Sequence, residues 1–192
     1  VTSAPAMLRL TSLAACALVP LVLAGPVTRD GDGALPVAQA NDNRRPAGRL
    51  RRDTLYLDLE VRVARWHPEA PDGPYIEAAV IGERGRAPQV PAPMIRVPEG
   101  TVIVARLTNG LRDSVLTWHG LATHPARDSL QLHPGRSTTV RFLAGAPGTY
   151  LYRAEPGVVD REVRDRSTAG GAFVVDARGA PADDRVFVMN LW

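Results

Sequence analysis

The 192-residue chain contains no lysine, a single cysteine, four histidines, and aromatic residues at only 5% of its positions. All 23 of its basic residues are therefore arginine, which reads as GC-rich codon usage and not as a binding surface. No stripe of interleaved arginine and aromatic residues is present, so nucleic acid is not expected as a partner despite a net charge of +3. The cysteine, Cys16, lies in an apolar leader. Everything after it is thiol-free, which excludes a disulfide and any thiolate metal ligand. No stretch has convincing helical periodicity. No nucleophile elbow surrounds Ser129 or Ser137, and no glycine-rich phosphate loop appears, so hydrolase and nucleotide chemistry are not expected.

Residues 10–24 are almost entirely apolar, with Arg9 before them and Pro20 among them. That length suits the core of a secretory signal and is short for a membrane span. Cleavage fits after Ala24 or, by the small-residue rule, after Ala40 in Ala38-Gln39-Ala40. No twin arginine precedes the run, so a Sec-type route is expected; an uncleaved anchor is the alternative. Leu13-Ala14-Ala15-Cys16 matches a lipoprotein box, but the apolar run mostly follows the cysteine. The expected organisation is a leader over 1–40, a flexible Arg-rich linker over 41–53 and one domain over 54–192. The product is expected to be exported, periplasmic or extracellular, touching membrane only through an uncleaved leader.

From residue 54 the pattern changes to period two. Leu55, Leu57, Leu59, Val61 and Val63 alternate with more polar neighbours, as in a strand with one face on a core. Further strands are expected over 75–82, 101–108, 115–118, 138–143, 148–154, 172–176 and 185–191. Ile103, Ala105 and Leu107 share one face, as do Thr138, Val140 and Phe142. Asn109-Gly110 is a tight-turn signal. Short strands punctuated by 17 glycines and 17 prolines make the fold all-β, a Greek-key β-sandwich.

Two segments carry more specific information. Thr117-Trp118-His119-Gly120-Leu121 resembles the His-Trp-His-Gly strand of multicopper oxidases, the laccase-like enzymes. Gly148-Thr149-Tyr150-Leu151-Tyr152-Arg153-Ala154-Glu155 resembles their Gly-Thr-Tyr-x-Tyr-His-x-His strand. Residues 91–100 are similar to the family's Pro-Gly-Pro-x-Ile-Arg-Val-x-x-Gly entry, with Ala92 for the middle glycine. The resemblance spans roughly 55–192 and implies the N-terminal plastocyanin-like domain, of cupredoxin type. It also implies copper as cofactor, oxidoreductase chemistry, and later cupredoxin domains of the same parent protein as partners. Residues 184–192 resemble the strand leading into a second domain, so the chain is expected to be a fragment of that parent.

The same resemblance makes His119 the candidate metal ligand. Thr117, Arg153 and Glu155 stand where three further copper-binding histidines are expected. A hydroxyl is a weak copper ligand, a carboxylate a harder one, and a guanidinium repels the metal. Without a cysteine thiolate, a type 1 copper is excluded from the mature domain. The chain alone is therefore not expected to be catalytic. Arg153 and Glu155, two apart on a strand, should share a face. They either hold an inter-domain cleft as a charge pair in place of metal or are simply exposed. A three-histidine site from His119, His124 and His133 is conceivable, but His-Pro at the latter two reads as turn chemistry, as does His67-Pro68. Trp118 is expected in the core. A non-enzymatic binding module and a small copper carrier remain as other readings.

Overall fold

Leucine and valine at every second position generate the longest strand, β3 (Thr54–Trp66), and send Leu55, Leu57, Leu59 and Val61 into the core. The computed structural model describes residues 34–121, 129–157, 169–180 and 183–189. All of them fall in one compact unit that starts at Ala34. Among the described residues there is no helix, and the strands form two sheets.

The larger sheet is ordered β1 (Gln39–Ala40), β5 (Gln89–Val90), β4 (Ile76–Glu83), β3, β7 (Val102–Asn109) and β10 (Ser137–Leu143), with β2 (Arg49–Arg51) also paired to β3. The smaller is ordered β6 (Ile95–Pro98), β12 (Gly170–Asp176), β11 (Gly148–Pro156), β8 (Leu116–His119) and β9 (Ser129–Leu132). β3 runs parallel to β7, and β6 parallel to β12; the β11 pairings with β8 and β12 are antiparallel. Between the sheets lie Leu57, Leu59, Ile81, Ile103, Leu107, Leu116, Trp118, Tyr152 and Phe173, with Phe142 packed edge-on against Phe173. Burying such side chains contributes about 1.5–3 kcal/mol each. The all-β sandwich and the shared faces of β7 and β10 are as the alternation implies.

Four expectations need correction. The stretch 41–53 is not a free linker, and the fold does not begin at Thr54. Ala38 and Ala47 are buried, β2 pairs with β3, and backbone bonds run from Ala38 N to Arg65 O, Gln39 N to Pro88 O and Asn41 N to Val90 O. These contacts use the backbone and two alanines, so the polar side chains concealed them. A leader running to residue 40 overlaps the same segment, since Gln39–Ala40 is strand β1. β3 continues past Val63 and turns Ala64 and Trp66 into a second apolar cluster with Ala38, Ala78, Val80 and Val90. The tight turn expected at Asn109-Gly110 does not join paired strands, because the next strand, β8, belongs to the other sheet. Instead Asn109, fully buried, donates to the Ser114 and Leu132 carbonyls at 2.8 Å and accepts from Leu111 N at 3.0 Å, so its amide stitches loop to strand.

The fourth correction concerns the expected strand over 185–191. Its described part forms no ladder. Residues 183–189 lie as an extended strap on the outer face of the small sheet, with Val186 and Val188 on Met94, Ala172 and Val174. Arg96 fastens it. The guanidinium donates to both Asp176 oxygens, at 2.8 and 2.7 Å, and to Asp184 at 2.6 Å. Asn43, in a left-handed conformation (φ 53°), donates its amide N–H to the Val186 carbonyl at 3.1 Å. Residues 1–33, which hold Cys16 and most of the expected leader, and the last three residues lie outside the described residues.

Candidate functional site

The two motif segments become neighbouring strands. β8 and β11 pair so that His119 lies opposite Arg153 and Thr117 opposite Glu155. Side chains directly opposite on an antiparallel pair have Cβ atoms about 4.5–5.5 Å apart. The four candidate positions therefore form a square on one face. Alternation sends Leu116, Trp118, Tyr152 and Ala154 inward and leaves Thr117, His119, Arg153 and Glu155 outward.

Local sequence fixes this arrangement at two glycines. Gly120 takes φ +80°, and a Cβ there would sit 2.6 Å from the Leu151 carbonyl oxygen, so β8 turns away immediately after His119. Gly171 lies opposite Tyr152, where a Cβ would sit 2.8 Å from the tyrosine ring and 2.9 Å from the Ala92 carbonyl. That space lets the Tyr152 hydroxyl donate to the Pro93 carbonyl at 2.5 Å. Burial drives the phenol pKa far above its usual range, with the charge of Glu83 adding to it. Tyr152 is thus a neutral anchor for the strand carrying Arg153 and Glu155. Trp118 is also in the core, its indole N–H without a hydrogen-bond partner.

On the outer face Arg153 Nε and Glu155 Oε1 form an ion pair at 2.6 Å. The second carboxylate oxygen, Oε2, lies 3.4 Å from His119 Nε2. That distance is in ion-pair range, but the nitrogen makes no hydrogen bond although it is closed to solvent. The side chains are half open, 50% for Arg153, 52% for Glu155 and 30% for His119. The result is a chain of contacts, guanidinium to carboxylate to imidazole, across two strands.

The other histidines stay apart from this chain of contacts. His67 Nδ1 lies 2.7 Å from the Gly73 carbonyl in the β3–β4 turn, its ring against Tyr75. His133 is exposed in a turn closed by Arg136 N donating to the His133 carbonyl. His124 lies outside the described residues. Among the described residues no three His, Cys, Asp or Glu side chains converge as a metal-binding group.

Comparison with known proteins settles the lineage. The multicopper oxidase family profile matches residues 80–180, more than half of the chain. The chain belongs to the multicopper oxidase family. This multicopper-oxidase domain is 30% identical over 129 residues to the L-ascorbate oxidase of Cucumis sativus, covering 61% of the chain and 19% of that enzyme. It is 28% identical over 153 residues to the multicopper oxidase MmcO of Mycobacterium tuberculosis, covering 77% of the chain and 27% of that protein. The domain thus spans a small part of either relative. Two solved multicopper oxidases share its fold. A metallo-oxidase from Campylobacter jejuni has a TM-score of 0.50 at 22% identity, over 75% of this chain and 31% of that one. A second has a TM-score of 0.52 at 22% identity, over 76% and 51%.

The family implies copper, and the square does not fit it. It offers one imidazole, one carboxylate already ion-paired with a guanidinium, and a permanent cation directly across from the imidazole. A hydroxyl at Thr117 adds little. No sequence signal disclosed how His119 meets Glu155, because register between strands is a tertiary property.

Proposed function

We propose that this chain is the N-terminal plastocyanin-like domain of an exported multicopper-oxidase-like protein, substituted at three of its four copper-ligand positions, Thr117, Arg153 and Glu155. Its role is scaffold: it presents the Arg153–Glu155–His119 face to a later cupredoxin domain of the same protein, held there by polar contacts instead of shared metal. Copper oxidoreductase chemistry, where the parent has it, belongs to those later domains. The observation that carries this reading is the 2.6 Å Arg153–Glu155 ion pair beside His119, which commits the one carboxylate of the four candidate positions and places a fixed cation among the candidate ligands. Export rests on the apolar run 10–24, and cleavage after Ala24 leaves the β1 segment intact.

Titration of the purified chain with Cu(II) tests the proposal. The expected result is no tight binding; submicromolar binding that disappears in His119→Ala overturns it in favour of a copper carrier. The second reading is a non-enzymatic binding module acting by protein contact. It is favoured by Phe187 and Met189, 86% and 93% exposed on the outward side of the strap. Pull-down of the parent's later domains by the chain, weakened by Arg153→Ala, supports scaffold; no association with them supports the module.

A further inference from the structure

The misfit between this face and copper is concentrated in one side chain. His119 Nε2 and Glu155 Oε2 lie 3.4 Å apart. Two ligands each about 2.0–2.1 Å from one tetrahedral ion stand about 3.3–3.4 Å from each other. The imidazole nitrogen is shut away from solvent, makes no hydrogen bond, and faces the carboxylate. An unpaired, desolvated nitrogen costs free energy, so its retention calls for an explanation. Two donors of a divalent-metal site thus already stand at ligand spacing. The third corner belongs to Arg153, directly opposite His119 in the β8–β11 register and two residues from Glu155 on the same face.

We infer that Arg153 is a resident cation that closes a nearly formed divalent-metal site: its guanidinium takes Glu155 Oε1 and supplies the positive charge that a metal ion would bring. The electrostatics favour this arrangement. A guanidinium is never deprotonated in proteins, and it repels any cation that enters beside it. A dication entering beside it meets twice the repulsion felt by a single charge and must also compete for a carboxylate already paired with the guanidinium at 2.6 Å. The face therefore keeps its charge balance without recruiting metal from solution. The inference builds on the scaffold reading, and deepens it by naming what excludes the metal.

The inference makes a gain-of-function prediction. Arg153→His removes the cation, frees Glu155 and sets a second imidazole directly across from His119. Two imidazoles and one carboxylate then share a face, a donor set suited to divalent transition metals. Zn(II) and Cu(II) titrations by calorimetry, with Cu(II) binding followed also by electron paramagnetic resonance, should show R153H binding at least about 100-fold tighter than the unmodified chain. Adding Glu155→Gln or His119→Ala to R153H should abolish most of that gain. Arg153→Lys, which keeps a fixed cation, should bind no better than the unmodified chain. Arg153→Ala, which frees the His119–Glu155 pair without adding a ligand, should gain about tenfold. Thermal melting without metal establishes that each variant is folded, and Arg153→Ala carries the test where R153H does not fold.

An R153H or Arg153→Ala variant that is folded and binds no tighter overturns the inference, as does a gain that survives Glu155→Gln. Tight binding by the unmodified chain overturns both this inference and the scaffold reading, whereas a failed gain in the variants leaves the scaffold reading standing.

Discussion

The outer face of the small sheet carries two arginine–carboxylate clusters whose shortest bonds are the same length, 2.6 Å, at opposite flanks. At the strap, Arg96 is 11% exposed, forks onto both oxygens of Asp176 and adds Asp184. At the square, Arg153 is 50% exposed and makes a single ion-pair contact to Glu155. Equal distance does not mean equal strength. A forked, enclosed pair loses little rotamer freedom and is poorly screened by salt, while an open single bond gives back in side-chain entropy and screening most of what it gains. One flank is a structural fastening. The other is held loosely enough to be exchanged for a partner.

The widest separation between the flanks should appear on truncating each arginine. Arg96→Ala leaves Asp176 enclosed without its cation and lets the strap go, and should cost about 2–3 kcal/mol in chemical denaturation. Amide exchange over 183–189 should rise in parallel. Acid should separate the flanks next. The hydrogen bond from Arg96 holds the Asp184 carboxyl below its ordinary pKa of 3.8. A carboxylate with a lowered folded pKa stabilises fully above the unfolded value and loses that contribution as pH falls through the folded one. Strap contacts should therefore persist at pH 4–5 and fade below 3.8, read from the Val186 and Val188 methyl resonances. Tighter strap contacts in acid would contradict this sign.

A smaller effect is expected from Asn43→Gly, which keeps the left-handed backbone and removes the bond to the Val186 carbonyl together with the one accepted from Asn41 Nδ2. With both bonds lost it should cost about 1–2 kcal/mol and loosen the strap without disturbing the square. The smallest effect belongs to the open flank. A double-mutant cycle on Arg153 and Glu155 should return a coupling of at most about 1 kcal/mol, shrinking with salt. A coupling as large as the Arg96 effect would erase the distinction between the flanks.

What the sequence disclosed follows the same physical division. Alternation revealed the strands whose side chains do the work, such as Ile103, Ala105 and Leu107, and it placed Arg153 and Glu155 on a common outward face. The strap was expected as a strand, and its packing on Met94, Ala172 and Val174 depends on tertiary placement; the β1 segment and β2 were illegible because their hold on the fold is mainly backbone bonding, two buried alanines and single polar side chains. Composition there advertised a linker. β9 escaped notice because Ser129–Leu132 is only four residues long, too short for its alternation to stand out. At the square, residue identities were legible, but not the bond to Glu155 nor the solvent-closed nitrogen of His119, which depend on register and rotamer.

The buried amide of Asn109 bears on how this protein ages. An asparagine followed by glycine is chemically fragile, because the glycine nitrogen attacks the side-chain carbonyl to form a cyclic imide that hydrolyses to aspartate or isoaspartate. Here Gly110 N is occupied by the Val61 carbonyl at 2.8 Å, and the Asn109 carbonyl oxygen is held by Leu111 N. Attack requires both bonds to open. Deamidation at this dipeptide should thus proceed slowly in the native chain and quickly once it unfolds, leaving a permanent mass gain that records how long each molecule has spent open.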